Sequence, residues 1–227
     1  MNKLRAILFD LDGTLIDTTG LILGCFDHAW QTVCGSRPAR DALIQTFGIP
    51  LREAMKSLLA LSVLESPAAG GAGESEVIEH LLTEYRLFNV ANHDSMARPF
   101  EGVRQVIAEL RSRGYAIGVV TSKSRELACR GLSLCSLDGM IDESVFLEDT
   151  ERHKPEPDPI SRGLEMLNAL PSQAAYVGDS RFDIMAGRAA GVRTIAALWG
   201  PAPRHELERE QPDFFAKDVT GLLEIFE

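Results

Sequence analysis

Two aspartates separated by a single residue follow a short apolar run near the N-terminus. Residues 6–9 have the pattern of a buried strand, Asp10 and Asp12 come directly after it, and Gly13 ends the strand pattern. A buried parallel strand presents its functional groups at its carboxyl end, so both carboxylates are expected at one site. Two carboxylates this close repel each other unless a cation offsets their charge, and their oxygens suit Mg²⁺. The pattern therefore predicts a magnesium site, although a solvated strand-end turn also uses Asp and Gly.

Two later apolar runs also end in polar side chains, and a lysine lies in a proline-rich loop between them. The first run precedes Thr121 and Ser122, the second precedes Asp179, and Asp183 follows four residues further on. Lys154 stands in the loop and is followed by prolines at positions 155, 157 and 159. Hydroxyls, helix-start amides, carboxylates and a cation are what phosphoryl transfer needs, because that reaction depends on positioning and charge neutralisation. The set predicts phosphoryl-transfer chemistry.

The chain resembles the haloacid dehalogenase superfamily, specifically its phosphatases with a helical cap inserted early in the sequence. Within these it is most similar to the phosphoglycolate phosphatase-like group. The resemblance covers nearly the whole chain and rests on four motifs in order: Asp10-Leu11-Asp12-Gly13-Thr14, Thr121-Ser122, Lys154-Pro155, and Gly178-Asp179 with Asp183. It implies that the backbone carbonyl of Asp12 binds the metal. It also implies a phosphatase, because the dehalogenase branch lacks an acid at the position of Asp12.

Each motif residue has an expected role in this chemistry. Asp10 is expected to attack phosphorus and form an aspartyl-phosphate, and Asp12 to act first as general acid and then as general base. Thr121 and Ser122 are expected to hold the phosphoryl oxygens at a helix start, although these residue types also favour an ordinary helix N-cap. Lys154 is expected to neutralise charge on Asp10 and on the phosphoryl group, whereas most lysines are merely solvated.

The two later aspartates are expected to differ in their distance from the metal. Asp179 directly follows a strand and is predicted to be a metal ligand with Asp10 and Asp12. A helix that starts near residue 180 would turn Asp183 back toward the same side, where it would orient metal-bound water or Lys154. Either aspartate could instead favour the helix N-terminus electrostatically.

The composition is that of an ordinary globular protein with excess negative charge. Of 227 residues, 45% are hydrophobic and 25% charged, and the net charge is −10. The chain offers no basic stripe for nucleic acid, no apolar run that could span a bilayer and no signal-peptide pattern. Its four cysteines match neither a zinc motif nor a dense disulfide framework. We therefore expect a cytoplasmic monomer or homodimer whose partner is a small phosphorylated metabolite.

Two regions are distinguished by their periodicity. Residues 1–16 and 95–227 are expected to form an α/β core, because alternating strand and helix patterns predict a doubly wound parallel sheet. Residues 17–94 contain only helical patterns and are expected to form an all-helical cap. Within the cap, residues 66–73 have the composition of a flexible linker.

Substrate choice is expected to depend on the cap, since all four motifs lie outside it. The helix-breaking stretch Gly48-Ile49-Pro50 is expected to point into the cleft. Arg52 follows on a helix and is a candidate to bind an anionic leaving group such as a carboxylate. A solvated surface arginine fits the same pattern.

The leading functional hypothesis is a Mg²⁺-dependent phosphatase that acts on a small phosphate monoester, with phosphoglycolate suggested by the resemblance. Inorganic pyrophosphate hydrolysis is a close alternative. A sugar phosphomutase of the same superfamily is a second, but such mutases usually carry a histidine where this chain has residues 18–22, which contain none. A non-catalytic interaction protein on the same scaffold is an alternative of another class.

Overall fold

A six-stranded parallel sheet positions the carboxylates that follow its strands. The computed structural model describes residues 4–65 and 73–227. Its strands are β1 (Ala6–Phe9), β2 (Ile16–Asp17), β3 (Arg98–Pro99), β4 (Ala116–Val120), β5 (Glu143–Val145), β6 (Ala174–Gly178), β7 (Arg193–Ala197) and β8 (Phe214–Ala216). All except β2 and β3 form one sheet in the order β5-β4-β1-β6-β7-β8, and every neighbouring pair is parallel.

The register of the central strands aligns the segments that carry the motifs. Phe9 of β1 lies opposite Val119 of β4 on one side and Val177 of β6 on the other. The chain therefore leaves these three strands at one level, which brings Asp10, Thr121 and Asp179 to the same edge of the sheet. The α/β fold and parallel sheet predicted from the sequence are confirmed.

Ten α-helices are assigned within the described residues. They are α1 (Thr19–Cys34), α2 (Arg40–Ile44), α3 (Leu51–Glu65), α4 (Glu74–Met96), α5 (Val103–Ser112), α6 (Arg125–Leu134), α7 (Asp158–Met166), α8 (Arg181–Ala189), α9 (Arg204–Arg209) and α10 (Leu222–Ile225). Short 3₁₀ turns span Asp138–Met140, Leu147–Asp149 and Pro171–Gln173. No helix in the described part of the chain is long and apolar enough to cross a membrane.

Helices α1 to α4 form a separate hydrophobic cluster, and we call residues 19–96 the helical insert. Leu21, Phe26 and Trp30 of α1 pack with Met55 of α3 and Leu81 of α4. The antiparallel pair of β2 and β3 joins the two ends of the insert to the sheet. This pair was not predicted, because two residues per strand are too few to show a periodicity. The domain limits 17–94 and the function of the insert as a cap stay predictions.

Helical periodicity in the sequence predicts helices over residues 39–47 and 74–88, and an apolar run predicts a short strand over 145–147, but the structure sets different bounds. Helix α4 continues to Met96, beyond the expected end at Phe88. Helix α2 is shorter than expected, and the Thr46 hydroxyl donates to the Leu43 carbonyl at 2.7 Å, a local bond that competes with helix continuation. Strand β5 ends at Val145, where the sequence suggested a strand over 145–147. Of the expected linker, residues 66–72 lie outside the described residues.

Candidate active site

A buried lysine links two of the motif aspartates. The Nζ atom of Lys154 lies 3.0 Å from Oδ1 of Asp10 and 2.7 Å from Oδ1 of Asp183. It also donates to the Tyr176 hydroxyl at 3.2 Å, so all three of its donors have an acceptor. Lys154 is 2% exposed and Asp183 is fully buried. The loop residue that the sequence marked as a candidate is thus a buried cation in direct contact with the expected nucleophile.

Burial and crowding shift the pKa values of the charged groups in this cluster. Burial raises the pKa of the Asp10 carboxyl to about 7, although the Lys154 ammonium opposes that rise. Burial also raises the pKa of Asp179, and repulsion from Asp10 and Asp183 raises it further. For Lys154, burial lowers the pKa, but attraction to Asp10 and Asp183 outweighs burial and leaves it above its ordinary value. The positive charge of Lys154 is therefore not enough to offset burial and repulsion, and the pKa values of Asp10 and Asp179 stay raised.

Asp179 is held in place by groups from the first motif and from a later loop. The Thr14 hydroxyl donates to Oδ1 of Asp179 at 2.7 Å. Gly13 has a φ of +83°, and a Cβ atom there would collide with the Asp179 carboxylate. A Cβ atom at Gly200 would collide with the same side chain. The Asp179 carboxylate therefore occupies a narrow space that a side chain at position 13 or 200 would fill.

Asp183 is fixed by a capping box at the start of α8. Ser180 is the N-cap, its hydroxyl accepts from the Asp183 amide, and Oδ2 of Asp183 accepts from the Ser180 amide at 3.0 Å. The same oxygen accepts from the Ser180 hydroxyl at 2.5 Å, while Oδ1 lies within 3.1 Å of the Tyr176 hydroxyl and accepts from Lys154. Both oxygens of Asp183 are therefore already engaged, one of them by Lys154. The indirect role expected for Asp183, in orienting Lys154, stays a prediction.

The cluster fits a hard divalent cation. Carboxylate oxygens of Asp10, Asp179 and Asp183 lie within 4.8 Å of one another. Since Asp183 is saturated by hydrogen bonds, Asp10 and Asp179 are the carboxylates left to bind a metal. Their raised pKa values have the sign expected for ligands that need an additional positive charge. Metal binding by the Asp12 backbone carbonyl, which the resemblance implies, stays a prediction.

Asp12 is turned toward a second lysine that the sequence analysis did not single out. Oδ1 of Asp12 accepts from the Thr18 hydroxyl at 2.7 Å and from Lys123 Nζ at 2.8 Å. Within the described residues, Oδ2 of Asp12 receives no hydrogen bond. Lys123 was missed because a lysine in a Ser- and Thr-rich stretch has the pattern of a solvated loop.

The two hydroxyl residues after β4 have different partners. The Thr121 oxygen accepts from the Lys123 amide at 3.2 Å, which leaves its own hydroxyl proton available. The Ser122 hydroxyl instead donates to the Gly48 carbonyl of the helical insert at 2.7 Å. Of this pair, Thr121 is the residue whose hydroxyl is available to a phosphoryl oxygen. Phosphate binding by the Ser122 hydroxyl stays a prediction that would require this contact to break.

These groups line a cavity of about 180 Å³ between the sheet edge and the helical insert. The sheet side contributes Asp10, Asp12, Thr121, Lys123, Lys154 and Asp179. The insert contributes mainly apolar side chains, with Gly48 and Ile49 among the lining residues as expected for the helix-breaking stretch. This volume is below the roughly 300–1,000 Å³ that is typical of pockets for drug-sized ligands. The cavity therefore suits a small substrate.

A family model described as haloacid dehalogenase-like hydrolase matches residues 7–197. The chain belongs to the haloacid dehalogenase-like hydrolases. All four motifs lie inside the matched range, so this membership confirms the resemblance that they suggested.

Individual relatives of this hydrolase include proteins named for phosphate chemistry. It is 34% identical over 223 residues to Pyrophosphatase PpaX of Bacillus thuringiensis (strain Al Hakam), covering 98% of this chain and 96% of that one. It is 40% identical over 223 residues to a protein of Caldanaerobacter subterraneus subsp. tengcongensis that carries the PpaX name, covering 98% and 94%. The structure of a predicted phosphoglycolate phosphatase from Haemophilus somnus 129PT shares the fold, with a TM-score of 0.89, full coverage of both chains and 21% identity. The prediction of an enzyme of the phosphatase class is confirmed.

Arg52 does not line the cavity of this hydrolase. Its guanidinium pairs with Glu79 at 2.7 Å, and its side chain is 46% exposed. The residues that α4 contributes to the cavity instead are Tyr85, Arg86 and Asn89. The sequence did not indicate them, because helical periodicity does not show which residues of a helix face a cavity, and an arginine on a surface helix is usually solvated. A substrate contact by Arg52 stays a prediction that this geometry does not favour.

Proposed function

We propose that this haloacid dehalogenase-like hydrolase is a Mg²⁺-dependent phosphatase that cleaves inorganic pyrophosphate through an aspartyl-phosphate on Asp10. One observation carries the proposed chemistry: the buried Asp10 carboxylate lies 3.0 Å from the Lys154 ammonium, and both residues line a small cavity. That pair supplies a nucleophile and a cation at one point, which is the central need of phosphoryl transfer. The names of relatives that match 98% of the chain favour pyrophosphate as the substrate. A phosphate monoester such as phosphoglycolate remains the alternative.

In the first half of the proposed reaction, an Asp10 oxygen attacks the phosphorus atom. A bond forms between that oxygen and phosphorus, and the bond from phosphorus to the leaving oxygen breaks. Asp12 gives its proton to the leaving oxygen as the bond breaks, which avoids expulsion of a highly charged anion. Lys154 offsets charge on the Asp10 carboxylate, and the Thr121 hydroxyl donates to a phosphoryl oxygen.

In the second half, a water molecule attacks the phosphorus of the aspartyl-phosphate. Asp12, now ionised, accepts a proton from that water, and the bond from phosphorus to Asp10 breaks to release phosphate. Lys123 and Thr18 hold Asp12 by the same oxygen throughout, so the other oxygen carries the proton in both halves. When bound, Mg²⁺ held by Asp10 and Asp179 supplies positive charge that offsets the phosphoryl oxygens.

The helical insert is proposed to act as a cap over this reaction. It covers the cavity from the side opposite the sheet, and the contact between Ser122 and Gly48 joins the two parts at the cavity wall. Closure of such a lobe excludes water and completes the site. Cytoplasmic location is proposed as well, as the setting in which a small phosphorylated metabolite is available.

A phosphate-release assay tests the proposed function. Pyrophosphate, phosphoglycolate, a hexose phosphate and p-nitrophenyl phosphate would each be supplied with Mg²⁺ or with a chelator. We expect Mg²⁺-dependent release from pyrophosphate with the highest kcat/KM of the panel. Release that survives exhaustive chelation would contradict the metal requirement. Conversion of the hexose phosphate to an isomer, without release of phosphate, would instead indicate a mutase.

A further inference from the structure

The cavity contains three cationic side chains from the described residues, and two of them are already paired. Lys154 contacts Asp10 and Asp183, and Lys123 contacts Asp12. The third is Arg86 of α4, which lines the cavity and is also exposed to solvent. No ion pair or hydrogen bond with any described residue engages its guanidinium. Arg86 is therefore the cation that remains free to bind an anion from solution.

Asn89 lies one helical turn from Arg86 and lacks a partner in the same cavity. Its side chain is 4% exposed, and its Oδ1 atom has no hydrogen-bond partner among the described residues. Its Nδ2 atom lies 3.6 Å from the Cys25 sulfur. A buried amide oxygen or nitrogen that has no hydrogen-bond partner lowers the stability of the folded protein by roughly 1–3 kcal/mol. Because Asn89 lines the cavity, a bound ligand can supply the hydrogen-bond partner that the protein does not.

A half-turn of the Asn89 side-chain amide would place its oxygen next to Cys25 and turn its nitrogen toward the cavity. The half-turn exchanges the oxygen and the nitrogen and leaves the shape of the side chain nearly unchanged. Burial raises the pKa of the Cys25 thiol to about 12, so this sulfur keeps its proton and can donate to the amide oxygen. The NH₂ group then faces the cavity as a donor. Arg86 and Asn89 would together present charged and neutral donors, which is the chemistry that recognises an anion.

We propose that Arg86 and Asn89 form a subsite for a second anionic group on the substrate, the one carried by its leaving group. This inference rests on the proposed function and names its substrate class: a small phosphate whose leaving group is itself a phosphate or a carboxylate. The two residues are three apart on α4 and therefore share a helix face. Both residues line the same cavity as Asp10, so the leaving group of a phosphoryl group bound at Asp10 can extend to them.

The rest of the insert wall supports selection by these two residues. Ile22, Phe26, Phe47 and Ile49 line much of it with apolar side chains that offer an anion no donor. Thr46 and Tyr85 add hydroxyls to this wall, and the Thr46 hydroxyl already donates to the Leu43 carbonyl. A substrate without a second anionic group would still reach Asp10, but it would gain nothing from Arg86. Loss of Arg86 should therefore discriminate between substrates, whereas loss of a catalytic group should impair all of them.

Steady-state kinetics on three substrates test the subsite. Pyrophosphate and phosphoglycolate carry a second anionic group of different chemistry, and p-nitrophenyl phosphate carries none. We expect Arg86→Ala to lower kcat/KM for the anionic-leaving-group substrate by about tenfold to a hundredfold, mainly through KM. Turnover of p-nitrophenyl phosphate should change less than about threefold. Arg86→Lys should restore part of the loss, because it keeps the charge without the planar fork.

Asn89→Asp gives a second and nearly isosteric test. A carboxylate at this position would repel an anionic leaving group, so we expect a selective loss on pyrophosphate or phosphoglycolate and a smaller effect on the aryl phosphate. Arg37→Ala is the matched control, since Arg37 belongs to the insert, is 65% exposed and does not line the cavity. Thermal melts of all variants would show that each is folded.

The outcomes separate this inference from the proposed function. A selective loss on pyrophosphate supports a phosphate leaving group, and a selective loss on phosphoglycolate supports a carboxylate. Equal losses on all three substrates, or no loss on any, would overturn the subsite while the phosphatase assignment stood. A selective loss in Arg52→Ala but not in Arg86→Ala would overturn it too. If the wild-type protein released phosphate from none of them, the proposed function and the subsite would both be wrong.

Discussion

The sheet edge and the helical insert both line one cavity, but their polar groups differ in how many hydrogen-bond or ion-pair partners they have within the protein. On the sheet side, Lys154, Asp183 and Asp179 each have hydrogen-bond or ion-pair partners within the protein. On the insert side, Arg86 and the Asn89 oxygen have no such partners among the described residues. The difference indicates that the catalytic groups are fixed before substrate arrives, whereas the recognition groups are completed by substrate.

This division has a physical basis in what each surface must do. Groups that attack phosphorus or transfer a proton need a fixed geometry, and a buried network of charged hydrogen bonds supplies it. Groups that select a substrate gain more when their donors are unpaired beforehand, since no internal contact must break on binding. The effects of substitutions on the two sides should therefore differ: uniform across substrates on the sheet side, and selective for certain substrates on the insert side.

The largest effect is expected from Asp10→Asn. The change removes the nucleophile but keeps the size of the side chain, and loss of a catalytic nucleophile reduces kcat by as much as about a millionfold in well-studied hydrolases. We expect turnover of every substrate to fall by at least about ten-thousandfold. Phosphate-release kinetics would measure it, with near-normal thermal melting as the control. Retention of a tenth of the wild-type rate would exclude Asp10 as the nucleophile.

Asp12→Asn should also be severe, and its effect should depend on the leaving group. A positioned general acid typically contributes about a hundredfold to ten-thousandfold to the rate. An activated aryl phosphate needs less proton donation than phosphoglycolate, so the loss on the aryl substrate should be smaller. The ratio of the two losses is the measurement. A uniform loss on both substrates would argue against an acid role for Asp12.

Asp183→Asn is expected to have an intermediate effect on catalysis. The neutral amide weakens the charge attraction that holds Lys154 beside Asp10. Loss of such a supporting contact typically costs about tenfold to a hundredfold in activity, and we expect it in kcat for all substrates alike. This uniform loss in kcat would contrast with the selective change in KM that is expected for Arg86→Ala. A selective change in KM in Asp183→Asn would break the distinction between the two sides.

The pKa of Asp10 predicts how the stability of the metal-free protein depends on pH. Folding raises this pKa from 3.8 to about 7, so between these values the folded protein keeps a proton that the unfolded chain has released. Raising the pH from 4 to 7 should therefore lower the free energy of unfolding, by an amount on the order of 4 kcal/mol from this group. Above pH 7 its contribution should not change further.

Denaturant unfolding in chelator at pH 5 and pH 8 would measure this effect, with Asp10→Asn as the reference in which it is absent. Added Mg²⁺ should stabilise the wild type more at pH 8 than at pH 5, because the ligands are ionised at the higher pH. A difference between wild type and variant that does not change with pH would contradict the assigned pKa.

The smallest effect is expected from Arg52→Ala. Its ion pair with Glu79 is about half exposed on both sides, and such pairs typically contribute less than about 1 kcal/mol. We expect a small loss of thermal stability and no selective change in KM. Melting curves and kinetics on phosphoglycolate would check both expectations. A selective rise in KM would restore the substrate role that the sequence suggested for Arg52.

The sequence identified the catalytic side of the cavity better than the recognition side. Asp10, Thr121 and Asp179 directly follow apolar strands of four or five residues, so a parallel sheet brings them to one edge. The partners of these groups were harder to see. Tyr176 lies within an apolar run, which gives no sign that its hydroxyl contacts Lys154 and Asp183. Lys123 is 111 positions from the Asp12 that it contacts.

The insert gave less information because helical periodicity does not reveal which face meets the cavity. Arg52 and Arg86 both occupy ordinary amphipathic helices and are both exposed. Only the folded structure shows that Arg52 pairs with Glu79 whereas Arg86 lines the cavity without a partner among the described residues. The short pair of β2 and β3 was missed for a related reason, since its two-residue strands depend on contacts across the whole insert.

Chemical trapping of the phosphorylated enzyme tests the central claim most directly. Wild-type protein would be quenched with acid during turnover of pyrophosphate and treated with borohydride, which reduces an acyl phosphate to an alcohol. Mass spectrometry of the peptides would then locate the reduced residue. The account predicts conversion of Asp10 to homoserine, and no conversion in Asp10→Asn. Reduction at another residue, or rapid turnover with no reduced residue in the wild type, would contradict it.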